Sequence, residues 1–208
     1  MKEKGKATGI WELAGLSTPL ILASNSPRRA TILRSVGCPF TAVSPVDDDD
    51  EGAYDRWDDG KILIERAVLK AVGAAESYPG RIILAADTVI QYRDRLFGKP
   101  EHASTAKMML SELSGKTHTV WTAIALLLYS TEKIKTALVS TQVTFRDLSS
   151  KEIDAYIQTG EPLDKAGGYG IQEIGGLWVK RLEGCYYNVV GLPISTFWEL
   201  LVKTKGDL

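Results

Sequence analysis

Residues 20–36 read LILASNSPRRATILRSV and place a short apolar strand, a polar turn and an amphipathic helix in direct succession. Leu20–Ala23 is uninterrupted apolar sequence, which is typical of a short buried strand. A helix is predicted over residues 27–36, because Ser26 is a favourable N-cap and proline suits the first helical position. Gly37 is predicted to end this helix. A strand that leads straight into a helix favours an α/β fold.

Outside this segment, apolar periodicity predicts further strands at residues 81–91, 118–129, 134–145, 177–182 and 185–190, and further helices at residues 62–75, 103–113, from 149 and from 193. The two long strands flank a polar turn and are predicted to pair as a hairpin. Strands and helices do not alternate strictly, so we predict an α/β fold with a mixed sheet and flanking helices. We expect residues 19–208 to form one domain and residues 1–18, which precede the first strong strand pattern, to be a mobile extension.

The overall composition argues against several classes of protein. A formal net charge of −1 provides no basic field for nucleic acid. No run of about 18 apolar residues and no signal peptide is recognisable, so we expect a cytoplasmic protein without a membrane span. The cysteines and histidines form no zinc-binding spacing; they are Cys38, Cys185, His102 and His118. A metal is therefore expected to be a hard cation held by oxygen ligands.

The turn Ser24–Arg29, SNSPRR, combines several features of an anion site. It lies at a predicted helix N-terminus, where unpaired backbone N–H groups and a partial positive charge attract anions. Two arginines and two hydroxyl groups at the same point favour a phosphate-rich ligand such as a triphosphate. A capped helix with solvated arginines is the simpler interpretation, and the N-cap pattern alone does not distinguish the two.

A carboxylate and two lysines form a second group of candidates. Asp87 follows the apolar run Ile82–Ala86, where a carboxylate costs desolvation energy unless it is paired or holds a metal. Ligand crevices also lie at strand ends in α/β sheets. An aspartate that caps a turn is the alternative. Lys70 and Lys99 supply further positive charge, although surface lysines are common.

Two loops are further candidates. The acidic run 47–51 is a source of metal ligands, because a divalent cation bound to phosphates needs few protein carboxylates; a solvated loop is the alternative. The segment 164–172, DKAGGYGIQ, allows the backbone to approach a flat ligand closely. It is not a GxGxxG turn after a strand, which argues against dinucleotide binding. Gln172 can read the edge of a base through its paired donor and acceptor.

Taken together, these segments resemble the Maf family of nucleotide pyrophosphatases. Six motifs occur in the family's order and at compatible spacing: SNSPRR at 24–29, AADT at 85–88, KP at 99–100, LSGKTHTVWT at 113–122, EPLDKAGGYGIQ at 161–172 and VVGLP at 189–193. Each motif alone is a weak signal, but the ordered set covers most of residues 20–201 and is very specific.

The resemblance implies a fold similar to that of the inosine triphosphate pyrophosphatases, with two lobes around a central cleft. It implies hydrolysis of a nucleoside triphosphate between the α and β phosphates with a divalent cation, Mg²⁺ or Mn²⁺, and it implies a homodimer. Asp87 falls on the family's catalytic acidic position and is also a candidate metal ligand. The positions that resemble phosphate ligands are Ser24, Arg28, Arg29, Lys70 and Lys99. The positions that the resemblance ties to substrate choice are Arg28, Thr88 and Gln172.

The form DKAGGYGIQ resembles the subfamily that acts on dTTP and UTP, with modified pyrimidine nucleotides as further candidate substrates. The family usually carries a glutamate where this chain has Asp47 or Asp48, so either aspartate is a candidate metal ligand. A 7-methyl-GTP pyrophosphatase of the same family is one alternative. A nucleotide-binding regulator of cell division without catalysis is another.

Overall fold

Seven α-helices and seven strands account for most of the regular structure in residues 8–45, 57–128 and 133–204, which are the residues that the computed structural model describes. The helices are α1 (Thr8–Leu13), α2 (Pro27–Ser35), α3 (Lys61–Ala75), α4 (Ala103–Leu113), α5 (Ser150–Gln158), α6 (Tyr186–Val190) and α7 (Ile194–Thr204). The strands are β1 (Leu20–Ala23), β2 (Phe40–Val43), β3 (Ile82–Tyr92), β4 (Arg95–Phe97), β5 (Thr117–Leu128), β6 (Lys133–Phe145) and β7 (Val179–Glu183). Short 3₁₀ helices occupy Glu161–Asp164, Ala166–Gly168 and Ile174–Trp178. Among the described residues, no helix has both the length and the apolar composition needed to cross a membrane.

The seven strands form one mixed sheet in the order β2-β1-β3-β5-β6-β7, with β4 as an additional neighbour of β3. β2, β1 and β3 run parallel, whereas β3, β5, β6 and β7 pair antiparallel. β5 and β6 form the predicted hairpin and stay in register along their whole length. The prediction of an α/β fold with a mixed sheet and flanking helices is therefore confirmed.

Helices cover both faces of the central strands, which explains why β3 and β5 are apolar on both faces instead of alternating with polar residues. On one face, Leu63 and Ala67 of α3 belong to the buried cluster. On the other face, Leu33 and Phe197 belong to a cluster that includes α2 and α7. A third cluster around α4 and α5, with Trp178 in it, covers the far end of β3 and β5. The cleft is lined by residues of two of these clusters, with Val190 from the cluster that includes α2 and α7 and Tyr169 from the cluster around α4 and α5.

The N-terminal helix α1 packs against the end of the chain. Trp11 is only 4% exposed, and its ring lies edge-on to Trp198 of α7 at 5.4 Å between ring centres. It also contacts Phe197. The described part of residues 1–18 therefore differs from the expected mobile extension, because burial of this large indole ties α1 to the core.

The predicted strand at residues 185–190 is wrong, since Tyr186–Val190 is the helix α6. Tyrosine and valine favour strands, which is why the pattern suggested one. Tertiary contacts override this preference. Asn188 is fully buried and donates from Nδ2 to the carbonyl of Val120 and to Oγ1 of Thr141, both at 3.0 Å. Gly191 then ends helix α6, with a φ of 113° in the left-handed region.

Candidate active site

The cleft opens at a gap along one edge of β3. β1 pairs with this edge as far as Ala85, and β4 begins to pair with it at Ile90. Asp87 and Thr88 lie between these two points, while β5 continues without interruption on the other edge. The predicted strand at residues 81–91 is present as β3, so Asp87 follows the apolar run Ile82–Ala86 but lies within the strand and not at its end. It is the end of the neighbouring strand β1 that exposes Asp87 to the cleft.

All predicted site residues that the structure describes line this cleft: Ser24, Arg28, Arg29, Lys70, Asp87, Thr88, Lys99 and Gln172. They come from β3, α2, α3 and the loops after β1, after β4 and around residue 170. Asp47 and Asp48 lie outside the described residues. The structure thus brings together side chains that are far apart in sequence, whereas their individual roles stay predictions.

Ser24 organises the turn that leads into α2. Its Oγ accepts hydrogen bonds from the backbone N–H of Ser26, at 3.2 Å, and from Nη1 of Arg29, at 2.9 Å. Ser26 takes the N-cap position as predicted, but its side chain makes no capping hydrogen bond. The N–H groups at the start of α2 are therefore not satisfied by that hydroxyl and remain suited to an anion.

Arg29 is buried and supports the walls of the cleft. Its Nε donates to the carbonyl of Gly191 at 2.8 Å, and its Nη2 donates to Oγ1 of Thr88 at 3.1 Å. With the bond to Ser24, all three guanidinium nitrogens donate to the protein. The predicted phosphate ligand is therefore also the side chain that joins α2, β3 and the turn after α6.

Arg28 connects the start of α2 to the glycine-rich segment. Its Nη1 and Nη2 donate to Oδ2 and to the backbone carbonyl of Asp164, at 2.8 and 3.0 Å. Nζ of Lys165 lies 2.7 Å from the other carboxylate oxygen. Burial alone would raise the pKa of the Asp164 carboxyl, but the hydrogen bonds from Lys165 and Arg28 outweigh burial and lower this pKa. Asp164 thus stays ionised between two cations at the mouth of the cleft.

Asp87 carries a buried carboxylate that is paired with cations from α3. Nζ of Lys70 donates to its Oδ1 at 2.9 Å, and Nε of Arg66 lies 3.7 Å from its Oδ2. The side chains of Lys70 and Asp87 are only 5% and 4% exposed. Arg66 and Lys70 share one face of α3 because they are four residues apart. This pairing offsets the desolvation cost of burying the Asp87 carboxylate, which the apolar sequence before it had indicated.

The glycine-rich segment is held in shape by Glu161. Its carboxylate accepts hydrogen bonds from the hydroxyl of Tyr156 at 2.7 Å and from the backbone N–H groups of Ile174 and Gly175 at 3.3 Å. Burial and the bond to Glu161 raise the pKa of the Tyr156 hydroxyl, so it donates at neutral pH. Gln172 lies on this supported segment and is exposed in the cleft.

Comparison with known protein families shows the family to which the chain belongs. The family model described as Maf-like protein matches residues 19–204, which is nearly the whole described structure. The chain belongs to the Maf family. The predicted resemblance is confirmed.

Curated relatives of this Maf chain are similar over most of their length. A protein of Bacillus cereus named dTTP/UTP pyrophosphatase is 46% identical over 189 residues, which cover 91% of this chain and 97% of that protein. A protein of the same name from Bacillus cytotoxicus is 48% identical over 175 residues, which cover 84% and 90%. The solved structure of the Staphylococcus aureus Ham1 protein aligns with 90% of this chain and all of its own, with a TM-score of 0.47 and 15% identity.

The donor set of this Maf cleft fits a hard cation that is bound largely through its substrate. Among the described residues, no group of three or more His, Cys, Asp or Glu side chains could form a cage around a metal. Asp87 supplies one buried carboxylate, and Mg²⁺ in phosphate-binding enzymes typically needs one or two carboxylates with phosphate oxygens. The remaining acidic candidates, Asp47 and Asp48, lie outside the described residues.

Three residues of the cleft region escaped the sequence reasoning. Arg66 could have been found from its spacing of four residues before Lys70 on a helix. Asp164 and Lys165 lie within a motif that was recognised, but nothing in its spacing shows that they pair with each other and that Asp164 also pairs with Arg28 of α2. Lys165 is only 5% exposed and donates to the carbonyl of Glu161 at 2.9 Å.

Proposed function

We propose that this chain hydrolyses dTTP and UTP to the nucleoside monophosphate and pyrophosphate. The observation that carries this proposal is the convergence of basic side chains, a helix N-terminus, a buried carboxylate and a glycine-rich segment on one cleft. Relatives that are 46% and 48% identical and named as dTTP/UTP pyrophosphatases support the same reaction.

The triphosphate lies at the start of α2 in this proposal. Arg28 and Lys99 line the cleft and offset the phosphate charge, together with the partial positive charge of the helix N-terminus. Arg29, which is engaged by Ser24, Thr88 and the turn after α6, keeps these elements at a fixed separation. A rigid basic surface stabilises developing charge without reorganising during the reaction.

Asp87 acts on the attacking water. Its carboxylate orients the water and accepts its proton as the oxygen attacks the α phosphorus. The bond between the α phosphorus and the bridging oxygen breaks, and pyrophosphate leaves with the electron pair. Lys70 fixes the direction of the carboxylate through its 2.9 Å hydrogen bond to Oδ1. In the alternative role of Asp87, this carboxylate and either Asp47 or Asp48 would hold Mg²⁺ or Mn²⁺, which would activate the water and neutralise charge on the phosphate oxygens.

The glycine-rich segment selects the base. Gln172 presents one donor and one acceptor, which match the edge of a uracil or thymine ring. Glu161 and Tyr156 support the backbone of the segment that carries Gln172 through their hydrogen bonds to each other and to Gly175. A homodimer and a cytoplasmic location stay predictions.

Pyrophosphate release from dTTP, UTP, CTP, 7-methyl-GTP and ITP, measured with Mg²⁺, with Mn²⁺ and with a chelator, tests this function. We expect fast, metal-dependent turnover of dTTP and UTP. A preference for 7-methyl-GTP would retain the reaction but contradict the assignment of Gln172. A folded protein that turns over none of the five would contradict the enzymatic function and favour a nucleotide-binding regulator.

The variant Asp87→Asn tests the role of the carboxylate. Loss of a general base typically lowers turnover by a factor of about 10²–10⁴, so we expect kcat for dTTP to fall at least about 100-fold. Asp154→Asn is the matched control, because Asp154 is a half-exposed carboxylate on α5 outside the cleft. Wild-type turnover by Asp87→Asn would remove Asp87 from the mechanism.

A further inference from the structure

A chain of hydrogen bonds leads from the cleft into the centre of the sheet. Thr88 accepts from Nη2 of Arg29 at 3.1 Å, and its Oγ1 lies 3.0 Å from Oγ1 of Thr122. Thr122, directly opposite on β5, donates from Oγ1 to the backbone carbonyl of Asn188 at 3.0 Å. Thr122 and Asn188 are both fully buried, so bulk water does not compete for these bonds.

The chemistry of the two ends decides the direction of every proton in this chain. A guanidinium group only donates, so Arg29 must be the donor to Thr88. A backbone carbonyl only accepts, so the single hydroxyl proton of Thr122 goes to Asn188. The proton between the two threonines must then come from Thr88. Its hydroxyl proton therefore points into the protein, and only an acceptor lone pair remains for the cleft.

This direction limits what Thr88 can bind. Phosphate oxygens at neutral pH accept hydrogen bonds and do not donate them, so Thr88 has no proton to offer them. Its remaining lone pair suits a hydroxyl or N–H donor, and such donors are found on the sugar and base of a nucleotide. Thr88 lies in the gap along the edge of β3 and lines the cleft together with Arg28 and Gln172, so the nucleoside and its phosphates would meet near it.

We propose that Thr122 is a positioning residue that fixes Thr88 as a pure hydrogen-bond acceptor for the nucleoside part of the substrate. This inference rests on the proposed binding of nucleoside triphosphates and adds a residue that does not touch the substrate. Thr122 acts through Thr88, because its own proton is held by the carbonyl of Asn188.

Helix α6 provides the fixed frame for this arrangement. The side chain of Asn188 is anchored to β5 and β6 through two hydrogen bonds of 3.0 Å, to Val120 and Thr141. Three residues later, the carbonyl of Gly191 accepts from Nε of Arg29 at 2.8 Å. α6 and the residue that ends it thus hold both ends of this series of hydrogen bonds, and we expect Arg29 to stay in place when the hydroxyl of Thr122 is removed.

The test compares Thr122→Val with Thr122→Ser. Valine keeps the shape of threonine but removes the hydroxyl, which frees the proton of Thr88 to rotate toward the cleft. We expect KM for dTTP to rise about tenfold in Thr122→Val, corresponding to about 1.4 kcal/mol. Inorganic tripolyphosphate, which has no nucleoside, should inhibit Thr122→Val as well as it inhibits the wild type, or better. Thr122→Ser should restore KM to within about twofold of the wild type.

Thr204→Val is the matched control, since Thr204 is fully buried, donates to the carbonyl of Leu201 and lies outside the cleft. It should leave KM for dTTP unchanged. An unchanged KM in Thr122→Val would overturn the inference. An equal loss of dTTP and tripolyphosphate binding would overturn it as well, because such a loss indicates displacement of Arg29.

Should Thr122→Val not fold, Thr122→Ala is judged by the same comparison. If the wild type binds dTTP without cleaving it, the proposed reaction fails, and dissociation constants from calorimetry replace KM in the same comparison of variants. If the wild type binds no dTTP, both the proposed reaction and this inference are overturned.

Discussion

The buried pair of Lys70 and Asp87 makes a prediction about stability that is independent of catalysis. Their charged atoms are 2.9 Å apart, and the two side chains are 5% and 4% exposed. At an effective dielectric constant of about 20, unit charges about 3 Å apart attract by about 5.5 kcal/mol. Loss of one partner leaves the other charge buried, which typically costs about 3–5 kcal/mol. Arg66, at 3.7 Å, compensates partly, so we expect about 3 kcal/mol for Lys70→Met.

A double-mutant cycle measures this interaction directly. Lys70→Met, Asp87→Asn and the combined variant are unfolded in urea, and the free energy of unfolding is compared with the wild type. Because the combined variant leaves neither of these two charges uncompensated, it should be less destabilised than the sum of the single variants. We expect a coupling energy of about 2 kcal/mol or more.

The exposed pair of Lys107 and Asp154 provides the control cycle. Its side chains are 49% and 48% exposed, and such pairs contribute about 0–1 kcal/mol. Additive effects at Lys70 and Asp87, with a coupling energy below about 0.5 kcal/mol, would refute the reasoning that this pair is electrostatically coupled in a poorly solvated site.

Two further predictions concern the histidine of the core and the shape of the glycine-rich segment. Burial lowers the pKa of His118 to about 3, and its Nε2 lies 2.8 Å from the hydroxyl of Tyr169. The unfolded histidine takes up a proton below about pH 6.5 and the folded one does not, so stability should fall by up to about 1.4 kcal/mol per pH unit between about pH 6.5 and 3. His118→Gln should flatten this dependence in urea titrations, and an unchanged slope would contradict the assignment. A Cβ at Gly176 would lie 2.6 Å from the carbonyl oxygen of Ile171, next to Gln172. Gly176→Ala should therefore raise KM for dTTP several-fold, whereas Gly9→Ala, which meets nothing within 4 Å, should leave it unchanged; equal KM values in both variants would count against a shaped base site.

Local elements were predictable because their signals lie within a few residues. The capping box at the start of α5 is present as a reciprocal pair between Ser149 and Glu152, with the backbone N–H of Ser149 2.9 Å from Oε2. The helix at Ala103–Leu113 has the predicted bounds, and the hairpin of β5 and β6 differs from its prediction by about one residue. Helix α6 was missed, since its conformation depends on partners in β5 and β6 that the local pattern does not contain.

The sequence by itself determined the family, the mixed α/β class and eight of the residues that line the cleft, because strand and helix periodicity and ordered motifs are properties of the linear chain. Only the tertiary structure decided how these residues are engaged. It paired Arg28 with Asp164, engaged Arg29 with three protein acceptors and placed the hydroxyl of Thr88 between Arg29 and Thr122. The physical reason is that a buried polar group must find its partner within about 3 Å, and that partner lies far along the chain.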